Sequence, residues 1–183
     1  FYPKEIEGSL RFNDDDSAYL SWTPDSAGNR KTWTFSCWVK RSQLGDSATL
    51  LDASVSGGAY DLWYFPSDDI LRYYNTQTQA GRKDTTAKFR DTAAWYHIVL
   101  AIDTTNSTAA DRIKIYVNGS QVTDFGTTVN FDLNDQTRIN SAVEHRIGQS
   151  VQNNGLKYDG YLAEVFFIDG TAHDADDFGE TKN

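Results

Sequence analysis

Hydrophobic and polar residues alternate along several short stretches of the chain, which is typical of β-strands with one buried face. The clearest stretch is Thr32–Arg41, where the apolar face carries Trp33, Phe35, Cys37 and Val39, and the other face carries Thr34, Ser36 and Lys40. We expect that apolar face in the core, with Cys37, the only cysteine, as a buried and inert thiol.

Similar runs rich in aromatic and β-branched residues recur along the chain, separated by clusters of Gly, Asn, Asp and Ser. No segment of helical length has a 3.6-residue period, and a single helical turn is predicted at Asp174–Gly179. The pattern predicts an all-β sandwich or barrel of antiparallel strands. The predicted strands are Ser9–Phe12, Ser17–Trp22, Thr32–Arg41, Thr49–Ser54, Ala59–Phe65, Ile70–Asn75, Thr85–Phe89, Trp95–Asp103, Arg112–Asn118, Ser120–Thr123, Glu144–Gly148 and Lys157–Asp169.

Some of these features have a more specific interpretation. Trp95–Asp103 is apolar on both faces, as in a central strand of a covered sheet. Asn118-Gly119 is a strong signal for a two-residue hairpin turn. Trp33, Trp38 and Trp95 are predicted to anchor the core.

The charge balance excludes two classes of partner. The 183 residues contain 26 acidic and 17 basic side chains, which give a net charge of −9. Because nucleic-acid affinity depends on Lys and Arg neutralising phosphates, we predict no nucleic-acid partner and no attachment to anionic membranes. No apolar run approaches the roughly 20 residues that a membrane-spanning helix needs, so we predict no membrane insertion.

Five segments occur in a specific order: Gly8–Phe12, Trp33–Lys40, Trp95–Leu100, Lys114–Gly119 and Tyr158–Gly170. Together they resemble the concanavalin A-like lectin/glucanase superfamily in its laminin-G-like form. The resemblance implies a two-sheet antiparallel jelly-roll sandwich, with residues 1–183 as one domain and the first and last strands adjacent.

The chain is also similar to the lectin-like domains of phage tail-fibre and virion surface proteins. That resemblance implies a non-enzymatic carbohydrate-binding module for host attachment, on the virion surface and therefore extracellular. Its expected partners are a glycan or cell-surface polysaccharide, other virion proteins and further copies of itself in a homo-oligomer. The alternatives are a structural or decoration domain of a virion that binds no glycan and, less favoured, a glycosidase.

Enzymatic chemistry finds little support in the sequence. Glycosidases need two carboxylates flanking the scissile bond. The glucanases of the superfamily place them on a strand reading Glu-x-Asp-x-x-Glu, which is absent here. Glu164 has Leu162 and Phe166 two positions away instead of acids. We therefore predict no catalytic residues.

Calcium is a candidate cofactor, because many lectins use it and two clusters are rich in carboxylates. These are Asn13–Asp16 and Asp174–Asp177. Neither has the spacing of an EF-hand loop, and solvated turns explain both equally well. Pairing of the terminal strands would bring Asp14 or Asp16 towards Asp159, but no metal ligands are assigned.

Sugar binding needs flat aromatic faces and planar polar groups, and the two strands of residues 59–75 offer both. If Leu62 and Leu71 point into the core, the alternate side chains line an outer face. Aromatic residues here would serve equally well to cover the sandwich or to contact a neighbouring subunit. The predicted ligand-binding residues are Asp61, Trp63, Arg72 and Tyr74.

Overall fold

A computed structural model of the protein describes residues 7–55, 58–77, 80–152 and 154–179. These residues form short strands in two antiparallel sheets. The strands are β1 Leu10–Phe12, β2 Leu20–Trp22, β3 Thr32–Arg41, β4 Ala48–Ser54, β5 Tyr60–Phe65, β6 Ile70–Asn75, β7 Arg82–Lys88, β8 Tyr96–Asp103, β9 Ile113–Val117, β10 Ser120–Gln121, β11 Phe125–Val129, β12 Glu144–Ile147 and β13 Gly160–Asp169.

The strand order confirms the predicted jelly-roll sandwich. One sheet has six strands in the order β1-β13-β3-β8-β9-β10, and the other has seven in the order β11-β7-β6-β5-β4-β12-β2. Leu10 pairs with Leu162 and Phe12 with Gly160, so the first and last described strands are neighbours, as predicted.

The alternation in β3 also has the predicted outcome. Trp33, Phe35, Cys37 and Val39 are all at most 1% exposed and belong to the core between the sheets. Burial raises the pKa of the Cys37 thiol, so this cysteine is a small apolar core residue rather than a nucleophile.

Two of the three tryptophans that were predicted to anchor the core lie outside it. Trp38 and Trp95 are half-buried, because their positions alternate with core positions and they lie on the outer face of the six-stranded sheet. Trp38 packs on the ring of His97, with centroids 5.1 Å apart. The prediction failed because it relied on residue type, whereas strand period decides which face a side chain occupies.

The C-terminal segment explains why β8 is apolar on both faces. It crosses the outer face of the six-stranded sheet, where Thr34 Oγ1 donates to Thr171 O and accepts from His173 N–H. The segment includes the 3-10 turn Asp176–Phe178, which agrees with the helical turn predicted there. A second 3-10 turn spans Ala109–Asp111. No helix in the described residues is long and apolar enough to cross a membrane.

The seven-stranded sheet contains the main errors in the strand prediction. Strand β11 was not predicted, because Gly126 interrupts a short and largely exposed run, and its pairing with β7 shifts register between Phe125 and Thr127. Strand β7 starts at Arg82, three residues before the predicted start at Thr85. The prediction left out Arg82–Asp84 because a run of three charged residues does not have the composition of a strand.

The long polar loop at 130–142 closes one end of the core. Phe131 and Ile139 are at most 1% exposed, and Trp33 Nε1 donates to Thr137 Oγ1 at 2.9 Å. Gly81 lies against this loop with φ +83°, and a Cβ at that position would overlap the Phe131 ring. Glycine is therefore required at residue 81 for both conformation and space.

Gly81→Ala should destabilise the protein more than Gly45→Ala, a matched control with φ +80° and open space around it. Both changes place a side chain in the left-handed region, which costs roughly 1–2 kcal/mol. Gly81→Ala adds overpacking against Phe131, worth about 1–3 kcal/mol more. Urea denaturation of the two variants measures the difference, and equal stabilities would contradict this account of the loop.

Candidate functional site

The pairing of β5 with β6 places the predicted site residues. Trp63 lies opposite Tyr73, and Tyr64 lies opposite Arg72. Trp63 and Tyr73 have no exposed surface and belong to the core, so the alternate side chains of both strands point outward.

Two of the four predicted ligand-binding residues therefore cannot lie on the outer face. Asp61 and Trp63 are both fully buried on the inner side of the seven-stranded sheet. The prediction assumed that Leu62 points into the core, but Leu62 is buried on the outer side instead. Strand β5 is apolar on both faces, so the larger Trp63 and Phe65 occupy the core and reverse the expected orientation.

Asp61 has a structural role at the end of the sheet. Its Oδ2 accepts the backbone N–H groups of Arg138 at 2.6 Å and Ile139 at 2.9 Å, and its Oδ1 accepts from Asn75 Nδ2. Burial raises the pKa of Asp61 to about 7, although these hydrogen bonds oppose the shift. A buried carboxyl group thus attaches the 130–142 loop to β5.

The other two predicted residues do lie on the outer face. Arg72 and Tyr74 are half-buried there, beside outward-pointing residues of β5 and β7. Their role in ligand binding stays a prediction. We call this cluster the tyrosine–arginine face, and it consists of Tyr60, Tyr64, Arg72, Tyr74, Arg82 and Asp84.

Asp84 fixes both arginines of the face. It accepts from Arg72 Nε at 2.8 Å and Nη2 at 2.9 Å, and from Arg82 Nε at 3.0 Å and Nη2 at 2.6 Å. Burial alone would raise the pKa of Asp84, but the hydrogen bonds and charges of the two arginines lower it. The carboxylate therefore stays ionised, and both guanidinium groups are held in place.

The tyrosine rings are held by the same network. Arg72 Nη1 donates to Tyr64 OH at 3.0 Å, and the Arg82 guanidinium lies 5.6 Å from the Tyr74 ring centroid. Tyr60 contacts Tyr74 edge-to-face, with centroids 6.1 Å apart. Because Arg72 and Arg82 flank a single carboxylate, the face has one more positive than negative charge.

A loop covers the adjoining part of the same sheet. Ser150 Oγ and Val151 N–H both donate to Asp52 Oδ2 at 2.8 Å, and burial raises the pKa of Asp52. Arg146 Nη1 donates to Asn154 Oδ1 at 2.6 Å, and its Nε donates to Glu144. The loop thus covers β4, beside the tyrosine–arginine face.

Sequence reasoning missed Tyr60, Tyr64, Arg82 and Asp84. Tyr60 and Tyr64 alternate with Trp63 in the predicted strand, so the correct orientation would have found them. Arg82 and Asp84 alternate in the same way, but the predicted strand began three residues too late to include them.

The candidate calcium clusters have other contacts. Asp159 pairs with Arg11, Asn13 Nδ2 donates to Asp16 at 2.6 Å, and Asp177 pairs with His173 Nδ1 at 2.7 Å. In the part of the chain that the structure describes, no group of three or more Asp, Glu, His or Cys side chains could hold a metal ion.

The sequence model of the concanavalin A-like lectin/glucanases superfamily matches residues 14–176. The chain belongs to this superfamily. A search of curated protein sequences finds no match.

Solved structures of the same fold include several sugar-binding domains. The CBM40 domain of the Ruminococcus gnavus IT-sialidase, bound to α2,3-sialyllactose, is 12% identical with a TM-score of 0.60, over 88% of this chain and 95% of that one. Domain 4 of the Geobacillus stearothermophilus arabinanase AbnA, in complex with arabinotriose, is 16% identical with a TM-score of 0.55, over 79% and 64%.

A third similar structure is the heptameric SAP-like pentraxin of Limulus polyphemus, 17% identical with a TM-score of 0.56, over 81% of this chain and 68% of that one. At sequence identities this low, the similarity to these solved structures shows a shared fold.

Asp61 should make the stability of this superfamily member depend on pH. Its pKa in the folded protein, about 7, exceeds its ordinary value of 3.8, so the folded state holds a proton that the unfolded chain releases between these values. The free energy of unfolding should therefore fall as pH rises from about 4 to about 7, by on the order of a few kcal/mol.

Asp61→Asn should remove this slope, because an amide has no proton to release in that range. Urea denaturation at pH 4.5 and pH 8 gives the free energy of unfolding of the wild type and of the variant. The contributions of other titrating groups cancel when the two are subtracted at each pH. Asp68→Asn, at an exposed position, is the control. Parallel pH profiles for the wild type and Asp61→Asn would contradict the assignment.

Proposed function

We propose that the protein is a non-enzymatic carbohydrate-binding module whose ligand binds the tyrosine–arginine face. The observation that carries this proposal is the fixed arrangement of three tyrosine rings around the Arg72–Asp84–Arg82 network on the outer side of the seven-stranded sheet. Similar structures that hold sialyllactose or arabinotriose support it.

The chemistry of the face suits a saccharide. Tyrosine rings offer apolar surface to the C–H groups of a sugar, and their hydroxyls hydrogen-bond to it. Guanidinium groups donate several N–H groups in one plane to sugar oxygens, while the nearly buried Asp84 carboxylate holds the two guanidinium groups in position. Because Asp84 already holds both arginines, a ligand would meet side chains that lose little freedom on binding.

The same network argues against hydrolysis. A general acid needs a carboxyl group that keeps its proton near neutral pH, as raised pKa values allow. The arginines lower the pKa of Asp84. Asp52 and Asp61 have raised pKa values, but Asp52 is enclosed by Ser150 and Val151, and Asp61 is buried inside the sandwich against the amides of Arg138 and Ile139. None of the three groups is placed to protonate a glycosidic oxygen.

We further propose that the protein is displayed on a phage virion surface, outside the cell, as a homo-oligomer. The sequence resemblance to phage tail-fibre domains supports the setting, and the heptameric pentraxin provides an oligomeric precedent in the fold. Multivalent display would strengthen weak single-site binding to a cell-surface polysaccharide.

An assembly role without glycan binding is the second candidate. Strand β2 lies at the end of the seven-stranded sheet, where Leu20 is 47% exposed and Trp22 is 37% exposed. An apolar edge strand of this kind is suited to contact other virion proteins.

Tyr74→Ala should weaken glycan binding by roughly tenfold or more, since aromatic anchors dominate recognition sites. A glycan array probed with multimerised protein identifies a ligand, and calorimetry then compares the variants. Tyr116→Ala, at a half-buried tyrosine of the other sheet, should leave binding unchanged. Equal affinities for Tyr74→Ala and the wild type would remove the proposed site.

Array results also separate the two candidate functions. The binding module predicts a signal that survives EDTA, because the Asp84 carboxylate holds both arginines of the tyrosine–arginine face in place. No signal for any glycan, combined with labelling of intact virions by an antibody against the chain, would favour the assembly role instead. A protein that gives neither signal would contradict both proposals.

A further inference from the structure

A pocket lies between the edge strands of the two sheets. Strands β10 and β11 end their respective sheets, and the pocket opens between them with a volume of about 380 Å³. This volume falls within the range of small-molecule sites, roughly 300–1,000 Å³. The pocket is separate from the tyrosine–arginine face.

Lys83 is the unusual residue of this pocket. It lies between Arg82 and Asp84 in β7 but points to the opposite side of the sheet, where it is 5% exposed. Its Nζ lies 4.5 Å from the centroid of the Phe125 ring. The ammonium group forms no hydrogen bond or ion pair with any residue that the structure describes.

Such burial is unfavourable for a charge. Burial lowers the pKa of Lys83, and the nearby Asp111 carboxylate offsets only part of this effect. The ammonium group lies against the Phe125 ring at the pocket wall, so its N–H donors remain available to an acceptor that enters the pocket.

The lining of the pocket restricts the charge of that acceptor. Asp111 and Asp124 contribute carboxylates, and Gln121, Thr123 and Thr128 contribute neutral polar groups. A dianion such as sulfate would gain one ammonium group but be repelled by two carboxylates. A singly charged carboxylate is better matched, particularly on a molecule whose hydroxyl groups can donate to Asp111 and Asp124.

We infer that the Lys83 pocket is a second ligand site, which binds the carboxylate of a hydroxylated acid such as a uronic acid residue. The carboxylate accepts from Lys83 Nζ, and the hydroxyl groups donate to the two aspartates. Ile113 and Val122 supply apolar surface for the ring. The site is independent of the proposed function, because it shares no side chain with the tyrosine–arginine face.

NMR titration of the full chain with sodium glucuronate tests this inference at pH 7 and constant ionic strength. Saturable shifts are expected for the amides of Val122–Phe125 and for the Lys83 side-chain Cε–Hε signal. Glucose, acetate and sodium sulfate serve as comparison probes, and each should bind at least tenfold more weakly, because each lacks the carboxylate, lacks the hydroxyls or carries a second charge.

Variants identify the cation. Lys83→Met keeps the length of the side chain and removes its charge, so glucuronate affinity should fall at least tenfold. Lys114→Met removes a half-buried lysine whose Nζ lies 3.7 Å from Asp111 Oδ1, and it should leave the affinity within about threefold of the wild type. Tyr74→Ala should not alter glucuronate binding at this pocket.

Several results would overturn the inference. Absence of chemical-shift changes in the wild-type protein at about 50 mM glucuronate would exclude the site, because a dissociation constant above that concentration is too weak for a specific site. This result needs no variant. Equal binding of sulfate would indicate a non-selective anion site, and equal binding of glucose would exclude a role for the carboxylate. Equal binding of acetate would exclude the hydroxyl contacts.

Discussion

The two-residue period of a β-strand is the constraint on which the site depends. Once Trp63 enters the core, every other side chain of β5 has its face assigned, and pairing with β6 and β7 extends that assignment across the sheet. The outward cluster around Asp84 exists because Trp63 and Tyr73 point inward. A shift of one residue in β5 would bury the arginine partners and expose the core.

The same strands bring buried and exposed polar groups into different roles. Asp61 and Asp84 are both nearly inaccessible carboxyl groups, but Asp61 receives neutral amide donors whereas Asp84 receives two guanidinium groups. Their pKa values consequently move in opposite directions. The first group holds a loop against the end of the core, and the second holds two cationic side chains ready on the surface.

The sequence was sufficient to predict the fold, but it identified only Arg72 and Tyr74 among the six residues of the candidate site. Alternation in β3 was clear, since one face was wholly apolar and Trp38 was the one large apolar residue on the other, and the family resemblance supplied the topology. In β5 both faces were apolar, so the pattern could not distinguish Leu62 from Trp63 as the core residue. Burial of Asp61 depends on amides of residues 138 and 139, which lie far away in sequence, so no local signal indicated it.

The shift of register in β11 has a consequence for the behaviour of the protein at high concentration. An unpaired strand edge is a template for pairing with another chain, and irregular edges resist that pairing. The irregularity between Phe125 and Thr127, together with the inward charge of Lys83 on the next strand, protects this end of the seven-stranded sheet. The opposite end, at β2, is limited by length instead, because its three residues offer few backbone groups to a second chain.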